Sequence, residues 1–319
     1  MGVIGLDVGG TKTAGILWSE GRVVARERRE TEAGSTESVL DGIFAVCHRL
    51  LEAASADGIK VKGIGLGIAG FIDLDQGVIT EAPNLPFKDL RIREILVNHF
   101  GLPVALDNDA NVAALAEARI GAAKGMKHVI HLTLGTGIGG GIVIDGMIFH
   151  GSRGAAAEFG HMIIKADGPT CNCGARGCLE AMASGVALAR RVGELAEGGT
   201  TSPMLEEYRR NLGPFPASRI AEHARAGDEV ALSLLGEAGH YLGVGIASLI
   251  NIFNPQAVTL SGGLLGAFSF LEGPMRSAIE ENAIAISRKE AKILLSALGE
   301  EAGSLGAALL AEISFGDGS

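Results

Sequence analysis

The order of strands and helices predicted for this 319-residue chain indicates an α/β protein with two domains. Hydrophobic patterning predicts three strands and then alternating helices and strands in the first third of the chain. A hairpin, several helices and further strand–helix pairs follow. Two similar hairpins with glycine turns, LDVGGTKTAGI and TLGTGIGGGIV, suggest that each domain opens in the same way. A ligand would then bind in the cleft between the domains.

Strands are predicted where short apolar runs end at glycine or another turn residue. We expect them at 3–6, 13–18, 23–28, 61–68, 104–106, 258–261 and 292–298. Residues 128–151 have the pattern of a strand, a glycine turn and a second strand. The buried runs alternate with helical segments, which favours parallel strands joined by helices.

Apolar residues at helical spacing predict helices at 36–54, 90–100, 239–253, 270–283 and 304–313, and one that follows Asp107. Residues 185–226 are expected to be helical, with a polar interruption at 200–216. Ser35 or Thr36 can cap the first helix, and Cys47 on its apolar face is expected to be a buried core thiol.

The composition limits the classes of partner. A formal net charge of −10 argues against nucleic acid, because a phosphate backbone requires a basic surface. The N-terminal MGVIGLDVGG lacks the basic segment and cleavage site of a signal peptide. No uninterrupted apolar run approaches the roughly 18 residues of a membrane span. We therefore expect a cytoplasmic protein with reduced thiols and no membrane partner.

Two glycine motifs for nucleotides fail in their context. Matches to G-x-G-x-x-G begin at Gly65 and Gly135, but neither leads from a strand into a helix, as a dinucleotide site requires. The stretch GLDVGGTKT has Thr11 where a P-loop has lysine. Neither a Rossmann cofactor site nor a P-loop is expected.

The same glycine turns can hold phosphate in another way. In Asp7–Thr11 and Leu134–Gly137, converging backbone N–H groups and threonine hydroxyls could bind an anion. An aspartate beside such a turn can hold Mg²⁺. Ser261–Gly263 supplies a third turn after a strand. The simpler alternative is a set of tight turns with a buried aspartate.

Asp107-Asn108-Asp109-Ala110-Asn111 opens an apolar helix. Asp and Asn are preferred helix caps, but capping accounts for only one or two of these polar residues. A carboxylate near the helix N-terminus is favoured in its ionised form and could accept a hydroxyl proton during attack on a γ-phosphate.

A cysteine cluster indicates a metal site. His161, Cys171, Cys173 and Cys178 lie within 18 residues and supply the donor set of a closed tetrahedral zinc site. A Cys171–Cys173 disulfide would form a strained ring, and disulfides are rare in the cytoplasm. An iron–sulfur cluster is the remaining alternative.

Together these motifs resemble the ROK family of repressors and sugar kinases, which has the two-domain, actin-like (hexokinase-type, ribonuclease H-like) fold. The resemblance covers nearly the whole chain. Its most specific part is EFGHMIIKADGPTCNCGARGCLEAMASG. Among the family's members, the bacterial ATP-dependent glucokinases are the most similar, through EAPNLPFKDL, DNDANVAALAEARIGAAKG and LTLGTGIGGGI.

The resemblance implies a function and a set of site residues. The expected reaction is ATP-dependent phosphorylation of the 6-hydroxyl of glucose, with Asp109 as the catalytic base. The implied sugar contacts are Gly70, Asn84, Asn108, Asp109, Glu158, His161 and Glu180. The implied ATP and Mg²⁺ contacts are Asp7, Gly9, Gly10, Thr11, Lys12, Gly135, Thr136, Gly137, Gly262 and Gly263. A structural Zn²⁺ is expected on the His161 and cysteine cluster.

The resemblance also implies a domain division and an assembly. We expect a small domain of residues 1–117 plus 302–319, a larger one of residues 118–301, and a homodimer or homotetramer. Three departures border the sugar residues: Ala69 and Ala157 replace a common Pro and Gly, and Phe87 follows Pro86 where Gly-Trp is frequent.

Several alternatives stay open. The substrate could be N-acetylglucosamine, N-acetylmannosamine, mannose, fructose or allose. Polyphosphate could replace ATP as the donor, or the chain could be a non-catalytic sugar sensor. A repressor is disfavoured because Asp7 arrives too early for a preceding winged helix and because the chain is acidic.

Overall fold

The computed structural model describes residues 1–211, 213 and 215–316. The described strands are β1 (Gly2–Val8), β2 (Lys12–Ser19), β3 (Arg22–Glu30), β4 (Val61–Ile68), β5 (Phe71–Asp73), β6 (Val78–Glu81), β7 (Lys88–Leu90), β8 (Val104–Asn108), β9 (Val129–Leu134), β10 (Ile138–Ile144), β11 (Met147–Ile148), β12 (Ala257–Ser261) and β13 (Lys292–Leu295).

The described α-helices are α1 (Thr36–Ala56), α2 (Ile92–Phe100), α3 (Asp109–Arg119), α4 (Leu179–Ala183), α5 (Gly185–Glu197), α6 (Pro203–Asn211), α7 (Ala217–Arg225), α8 (Glu229–Phe253), α9 (Phe268–Asn282), α10 (Ala285–Glu290) and α11 (Ala302–Phe315). Short 3₁₀ helices cover Phe159–His161, Gly263–Ala267 and Gly299–Glu301.

The first sheet has the strand order β3-β2-β1-β4-β8. β1 pairs antiparallel with β2 through a tight turn, and parallel with β4, which is itself parallel to β8. Parallel neighbours need a crossover connection, and α1 lies in the chain between β3 and β4. The sheet therefore brings the carboxyl ends of β1, β4 and β8 to one edge.

A second five-stranded sheet has the order β11-β10-β9-β12-β13, in which β12 and β13 are parallel. The chain divides into two compact units. The first comprises residues 1–131, 141–157 and 296–319, and the second comprises residues 132–140 and 158–295. The predicted domain boundaries, 1–117 plus 302–319 against 118–301, stay a prediction, and residues 317–319 lie outside the described part.

The core of the first unit follows from its strand patterns. β1 is buried on both faces, as expected for a central strand of a covered sheet, whereas the edge strand β3 is charged and largely exposed. α11 packs closely on the sheet: a Cβ at Gly65 of β4 would overlap the carbonyl of Ala307. Gly65 therefore allows the close packing of α11 on β4. The residues after Gly70 form strand β5, so this G-x-G-x-x-G match does not lead into a helix.

The predicted strands and helices are present, with several differences. The interruption expected at 200–216 is wrong in part, because α6 (Pro203–Asn211) lies within it, and the short helix α10 (Ala285–Glu290) was not predicted. A small antiparallel sheet, β5-β6-β7, was not predicted, because its strands are only three or four residues long and largely exposed. The helix expected from residue 90 begins at Ile92, after β7 ends at Leu90. α8 begins at Glu229 rather than at 239. Asp228 caps this start by accepting hydrogen bonds from Val230 and Ala231 N–H. Residues 212 and 214 of the expected 200–216 interruption lie outside the described residues.

One described helix, α8, is long and apolar enough to cross a membrane by length and composition alone. Of its most apolar 18-residue window, 56% is buried inside the protein. Gly239 and Gly243 of this helix lie against the backbone of α9. This burial is typical of a core helix.

Candidate active site

The first glycine turn joins β1 to β2 at the carboxyl edge of the first sheet. Gly9 N–H donates to the Lys12 carbonyl over 3.0 Å, which closes the turn around Gly10 and Thr11. Gly10 lies beside Asn84, since a Cβ there would stand 2.6 Å from the Asn84 carbonyl oxygen. The fold thus brings a predicted phosphate residue and a predicted sugar residue together.

Asp7 lies on β1 just before this turn and is partly buried. Its pKa is raised to about 7, mainly by burial and also by the nearby charge of Asp109, while Lys12 acts in the opposite direction. The Lys12 ammonium itself forms a 3.0 Å ion pair with the exposed Glu300. Asp7 and Asp109 therefore form an acidic pair that a divalent cation would stabilise.

Asn108 and Asp109 lie at the junction of β8 and α3. Asn108 is the helix cap: its Oδ1 accepts from Ala110 N–H over 2.9 Å, and its Nδ2 donates to the Gly70 carbonyl over 3.2 Å. Asp109 Oδ1 also accepts from Ala110 N–H, over 2.9 Å. Burial raises the pKa of Asp109 by more than the bond from Ala110 lowers it. The expectation that the helix N-terminus favours the ionised form is therefore wrong in its net direction, because burial outweighs it. The structure places Gly70, Asn108 and Asp109 in one locality.

Asp107, which was not assigned a role from the sequence, is 1% exposed. Its carboxylate accepts from Asn108 N–H and from Asn111 Nδ2, and it contacts His150 Nε2 at 2.5 Å. Sequence reasoning missed His150, because it lies 43 positions from Asp107 in an ordinary HGS stretch.

The cysteine cluster lies in the second unit and has the separations of a tetrahedral site. The ligand atoms of His161, Cys171, Cys173 and Cys178 all lie within 4.8 Å of one another. The Cys173 and Cys178 sulfurs are 3.7 Å apart, and Cys171 Sγ is 3.7 Å from His161 Nδ1. Zn–S bonds of about 2.3 Å would separate two sulfur ligands by about 3.8 Å. The residues fit Zn²⁺.

The surroundings of the three thiols shift their pKa values in different directions. Burial raises the pKa of Cys178 to about 12 and also raises that of Cys171, whereas the Ala175 N–H lowers the pKa of Cys173. A divalent cation among the three would favour their thiolate forms.

His161 has two distinct sides. Its Nδ1 faces the cysteines, and its Nε2 lies 4.0 Å from Glu158 Oε2. The other predicted sugar carboxylate, Glu180, accepts from Ile138 N–H through Oε2 over 2.9 Å, while its Oε1 lies 3.8 Å from Cys171 Sγ. The cysteine cluster and the predicted sugar residues of this unit are thus neighbours.

The second glycine turn joins β9 to β10 within the same unit. Gly135 N–H donates to the Gly137 carbonyl over 3.0 Å, and the carbonyls of Gly135 and Thr136 accept from Gly185 and Val186 at the start of α5. A Cβ at Gly137 would overlap Glu180 Oε2. The turn therefore packs against Glu180, a predicted sugar residue, and is hydrogen-bonded to the first residues of α5.

The third predicted turn follows β12. Gly262 has a φ of 100°, and a Cβ there would overlap the Leu134 carbonyl at the end of β9. Gly263 begins a short 3₁₀ helix. The second and third turns therefore lie side by side.

Two of the three departures from the family pattern have structural consequences. Ala157 has a φ of 69°, in the left-handed region that favours glycine. Ala69 N–H donates to the Val8 carbonyl over 3.3 Å, a bond that proline cannot form. Phe87 is buried.

The family model described as "ROK family" matches residues 3–313. This chain belongs to the ROK family. The match spans nearly the whole chain and both compact units. Solved structures of ROK kinases that are similar over the full length confirm the two-domain actin-like fold expected from the sequence. The family contains both kinases and regulators, and the individual relatives reflect this.

A glucokinase of Thermotoga maritima is 36% identical over 312 residues, which cover 96% of each chain. The crystal structure of a ROK family glucokinase from Streptomyces griseus, in complex with glucose and AMPPNP, is 35% identical with a TM-score of 0.80. It covers 97% of this chain and 99% of that one. The xylose repressor of Bacillus subtilis is 31% identical over 304 residues, or 95% of this chain and 75% of the repressor.

Proposed function

We propose that this ROK protein is an ATP-dependent hexose kinase that transfers the γ-phosphoryl group of ATP to the 6-hydroxyl of glucose. The observation that carries the proposal is the placement of Asp109. This carboxylate stands at the first residue of α3, beside an asparagine whose amide is bound to Gly70. Similarity to glucokinases over the full length supports the choice of glucose.

Asp109 would act as the general base. Its Oδ1 accepts from Ala110 N–H, which leaves Oδ2 to accept the proton of the sugar hydroxyl. Its raised pKa increases its proton affinity and brings it closer to a working pH. As the proton moves to Asp109, the sugar oxygen attacks the γ-phosphorus in line and ADP leaves.

The sugar contacts are assigned to hydroxyl-binding groups near this base and near the cysteine cluster. We assign them to Gly70, Asn84, Asn108, Asp109, Glu158, His161 and Glu180. Amide and carboxylate groups pair with several hydroxyls at once, and such a set discriminates against sugars that lack one of them. In Glu180, Oε1 is the candidate oxygen, because Oε2 already accepts from Ile138 N–H.

The nucleotide and Mg²⁺ are assigned to the three glycine turns. We assign them to Asp7, Gly9, Gly10, Thr11, Lys12, Gly135, Thr136, Gly137, Gly262 and Gly263. When bound beside Asp7, Mg²⁺ would neutralise charge on the phosphates. The Lys12–Glu300 pair is exposed at Glu300, so exchanging it for a phosphate contact costs little.

Zinc would be structural. Four protein ligands close a tetrahedral site, so no position remains for substrate. Binding through Nδ1 fixes the tautomer of His161 and leaves Nε2–H as a donor toward a sugar hydroxyl. The role of the ion is then to hold His161 close to Glu158 and Glu180.

A sugar panel with ADP-release detection tests the substrate. Glucose should give the highest kcat/KM with ATP, while N-acetylglucosamine, N-acetylmannosamine, mannose, fructose and allose should react more slowly. Turnover of an N-acetylhexosamine without turnover of glucose would overturn the choice of sugar. Turnover with polyphosphate but not ATP would overturn the donor, and sugar binding without any turnover would indicate a sensor related to the repressors.

The compartment and assembly stay predictions. The cytoplasm suits a reaction that consumes ATP, and light scattering of the purified chain would test the expected homodimer or homotetramer.

A further inference from the structure

The Asp107 carboxylate restrains the turn that carries Asp109. One oxygen, Oδ1, accepts both from Asn108 N–H over 2.8 Å and from Asn111 Nδ2 over 2.9 Å. The first bond fixes the end of β8, and the second fixes the first turn of α3. Asp109 lies between these two points. Its orientation therefore depends on the rotamer of Asp107.

The Asn111 amide depends on the same carboxylate. Asn111 is 2% exposed, and within the described residues its Oδ1 is buried without a hydrogen-bond partner. Its bond to Asp107 is thus the contact that orients the amide. Rotation of Asp107 would leave a second buried polar atom without a partner, which is unfavourable.

His150 holds the other oxygen of Asp107. Its Nε2 contacts Asp107 Oδ2 at 2.5 Å, and this hydrogen bond raises the pKa of His150. The imidazole is about one-third exposed and lines a cavity of about 720 Å³, whereas the Asp107 side chain is 2% exposed. Because a buried carboxylate needs a charged or donating partner, His150 maintains the restraint on Asp107.

We propose that His150 is a positioning residue for phosphoryl transfer, which acts by holding Asp107 in the rotamer that orients Asp109. The proposal rests on the proposed function of Asp109 as the base. His150 does not need to touch substrate for this role. Small displacements of a reacting group are costly: about 1 Å can lower a rate about 100-fold.

The charged groups that line the cavity with His150 define its electrostatic surroundings. They are Asp107 from β8, Asp73 at the end of β5, Asp75 in the turn that follows β5, Arg93 from α2, and Arg153 from the loop that contains His150. Arg93 is engaged by the carbonyls of Leu74 and Asp75. Asp107 is the group that bonds directly to the imidazole, so its substitution is the direct test of the pair.

The test compares His150→Ala with His150→Gln in steady-state kinetics. We expect His150→Ala to lower kcat about 10- to 100-fold, with KM for sugar and ATP changed less than about threefold. His150→Gln keeps an N–H donor and should recover most of kcat. The matched control is His128→Ala, which removes a histidine from another His–Asp contact, with Asp145 at 3.7 Å, and should leave kcat unchanged.

The pH profile supplies a readout that loss of stability would not produce. Wild-type kcat should fall to a lower plateau as pH rises through the pKa of His150, which lies above its usual 6.5. His150→Gln should lack this step. In the Asp107→Asn background, His150→Ala should add little to the loss in kcat, because the residue that it holds is already altered.

The outcomes separate this proposal from the proposed function. If Asp109→Asn abolishes turnover while folded His150→Ala and His150→Gln both keep wild-type kcat and pH profiles, His150 does not position the base. If Asp109→Asn keeps turnover, the proposed base itself is wrong. Should His150→Ala fail to fold, His150→Gln decides through its pH profile alone: a profile equal to that of wild type overturns the proposal.

Discussion

Gly303, near the start of α11, lies directly against the carboxylate of Asp7. A Cβ atom at Gly303 would stand 2.6 Å from Asp7 Cγ and 2.7 and 2.8 Å from its two oxygens. Such separations are shorter than real Cβ contacts, so a larger residue must displace the Asp7 side chain. The absence of a side chain at residue 303 is therefore what allows Asp7 to occupy its position beside the first glycine turn.

Gly303→Ala should weaken binding of Mg²⁺–ATP. We expect KM for ATP to rise about tenfold, equivalent to about 1.4 kcal/mol, because Asp7 is moved away from its position. Sugar affinity should change little. The control is Gly273→Ala in α9, where a Cβ would meet nothing within 4 Å; this variant should keep wild-type kinetics. An unchanged KM for ATP in Gly303→Ala would contradict the assignment of Asp7.

The pH dependence of stability should show the cost of ionising Asp7. Its pKa of about 7 in the folded protein lies above the ordinary 3.8, so the folded state resists loss of the proton. The penalty is absent below pH 3.8, grows as pH rises toward 7 and is constant above it. Between pH 5 and 7, Asp7 should lower the free energy of unfolding by about 2 kcal/mol.

Asp7→Asn removes the contribution of Asp7 to this decline. The comparison is needed because the raised pKa values of His150 and Asp109 also lower the free energy of unfolding as pH rises. Urea unfolding of both proteins, without nucleotide, should give a shallower decline for Asp7→Asn between pH 5 and 7. The variant should also bind Mg²⁺–AMPPNP more weakly at pH 8. Parallel pH curves for the two proteins would show that Asp7 ionises normally.

Removal of one cysteine should affect the sugar and spare the nucleotide. Cys173→Ser is expected to lose zinc, measured by elemental analysis, and to weaken glucose binding about tenfold or more, because His161 and Glu180 lose their anchor. Binding of Mg²⁺–AMPPNP should stay within about twofold. Cys47→Ala, which changes a buried thiol of the core outside this cluster, should retain zinc. Normal glucose affinity in a zinc-free Cys173→Ser protein would show that the ion does not hold the sugar residues in place.

Ala157→Gly should remove backbone strain. At a φ of 69°, an alanine costs about 1–2 kcal/mol that glycine does not. Glycine also has greater freedom in the unfolded chain, which lowers stability and offsets part of this gain. The free energy of unfolding should therefore stay unchanged or rise by up to about 1 kcal/mol. Ala156→Gly, at the preceding residue without a positive φ, should lose about 0.5–1 kcal/mol. If both substitutions destabilise equally in urea, the strain at Ala157 is not real.

The sequence could predict the elements with strong local signals. β1, β4 and β12 are buried apolar runs, and α1 has both helical spacing and a capping box at Ser35 and Ser38. The β5-β6-β7 sheet has neither signal, because its strands are short and mostly exposed. Local periodicity therefore explains both the success and the omission.

Site residues that lie close in sequence could be predicted, whereas contacts between distant residues could not. The cysteine cluster could be predicted because one imidazole and three thiols lie close in sequence, and the structure brings them together. The pairing of His150 with Asp107, and the approach of Gly303 to Asp7, join residues 43 and 296 positions apart in the chain. Such contacts depend on topology, and no spacing rule in the sequence contains them.

The central claim is that Asp109 is the base of a sugar kinase, and Asp109→Asn tests it most directly. Asparagine keeps the size of the side chain and can still accept from Ala110 N–H, but it cannot take a proton. Turnover of ATP and glucose by the variant should fall at least about 100-fold, while glucose affinity measured by calorimetry stays within about threefold. Near-normal turnover in a folded Asp109→Asn protein would contradict the account.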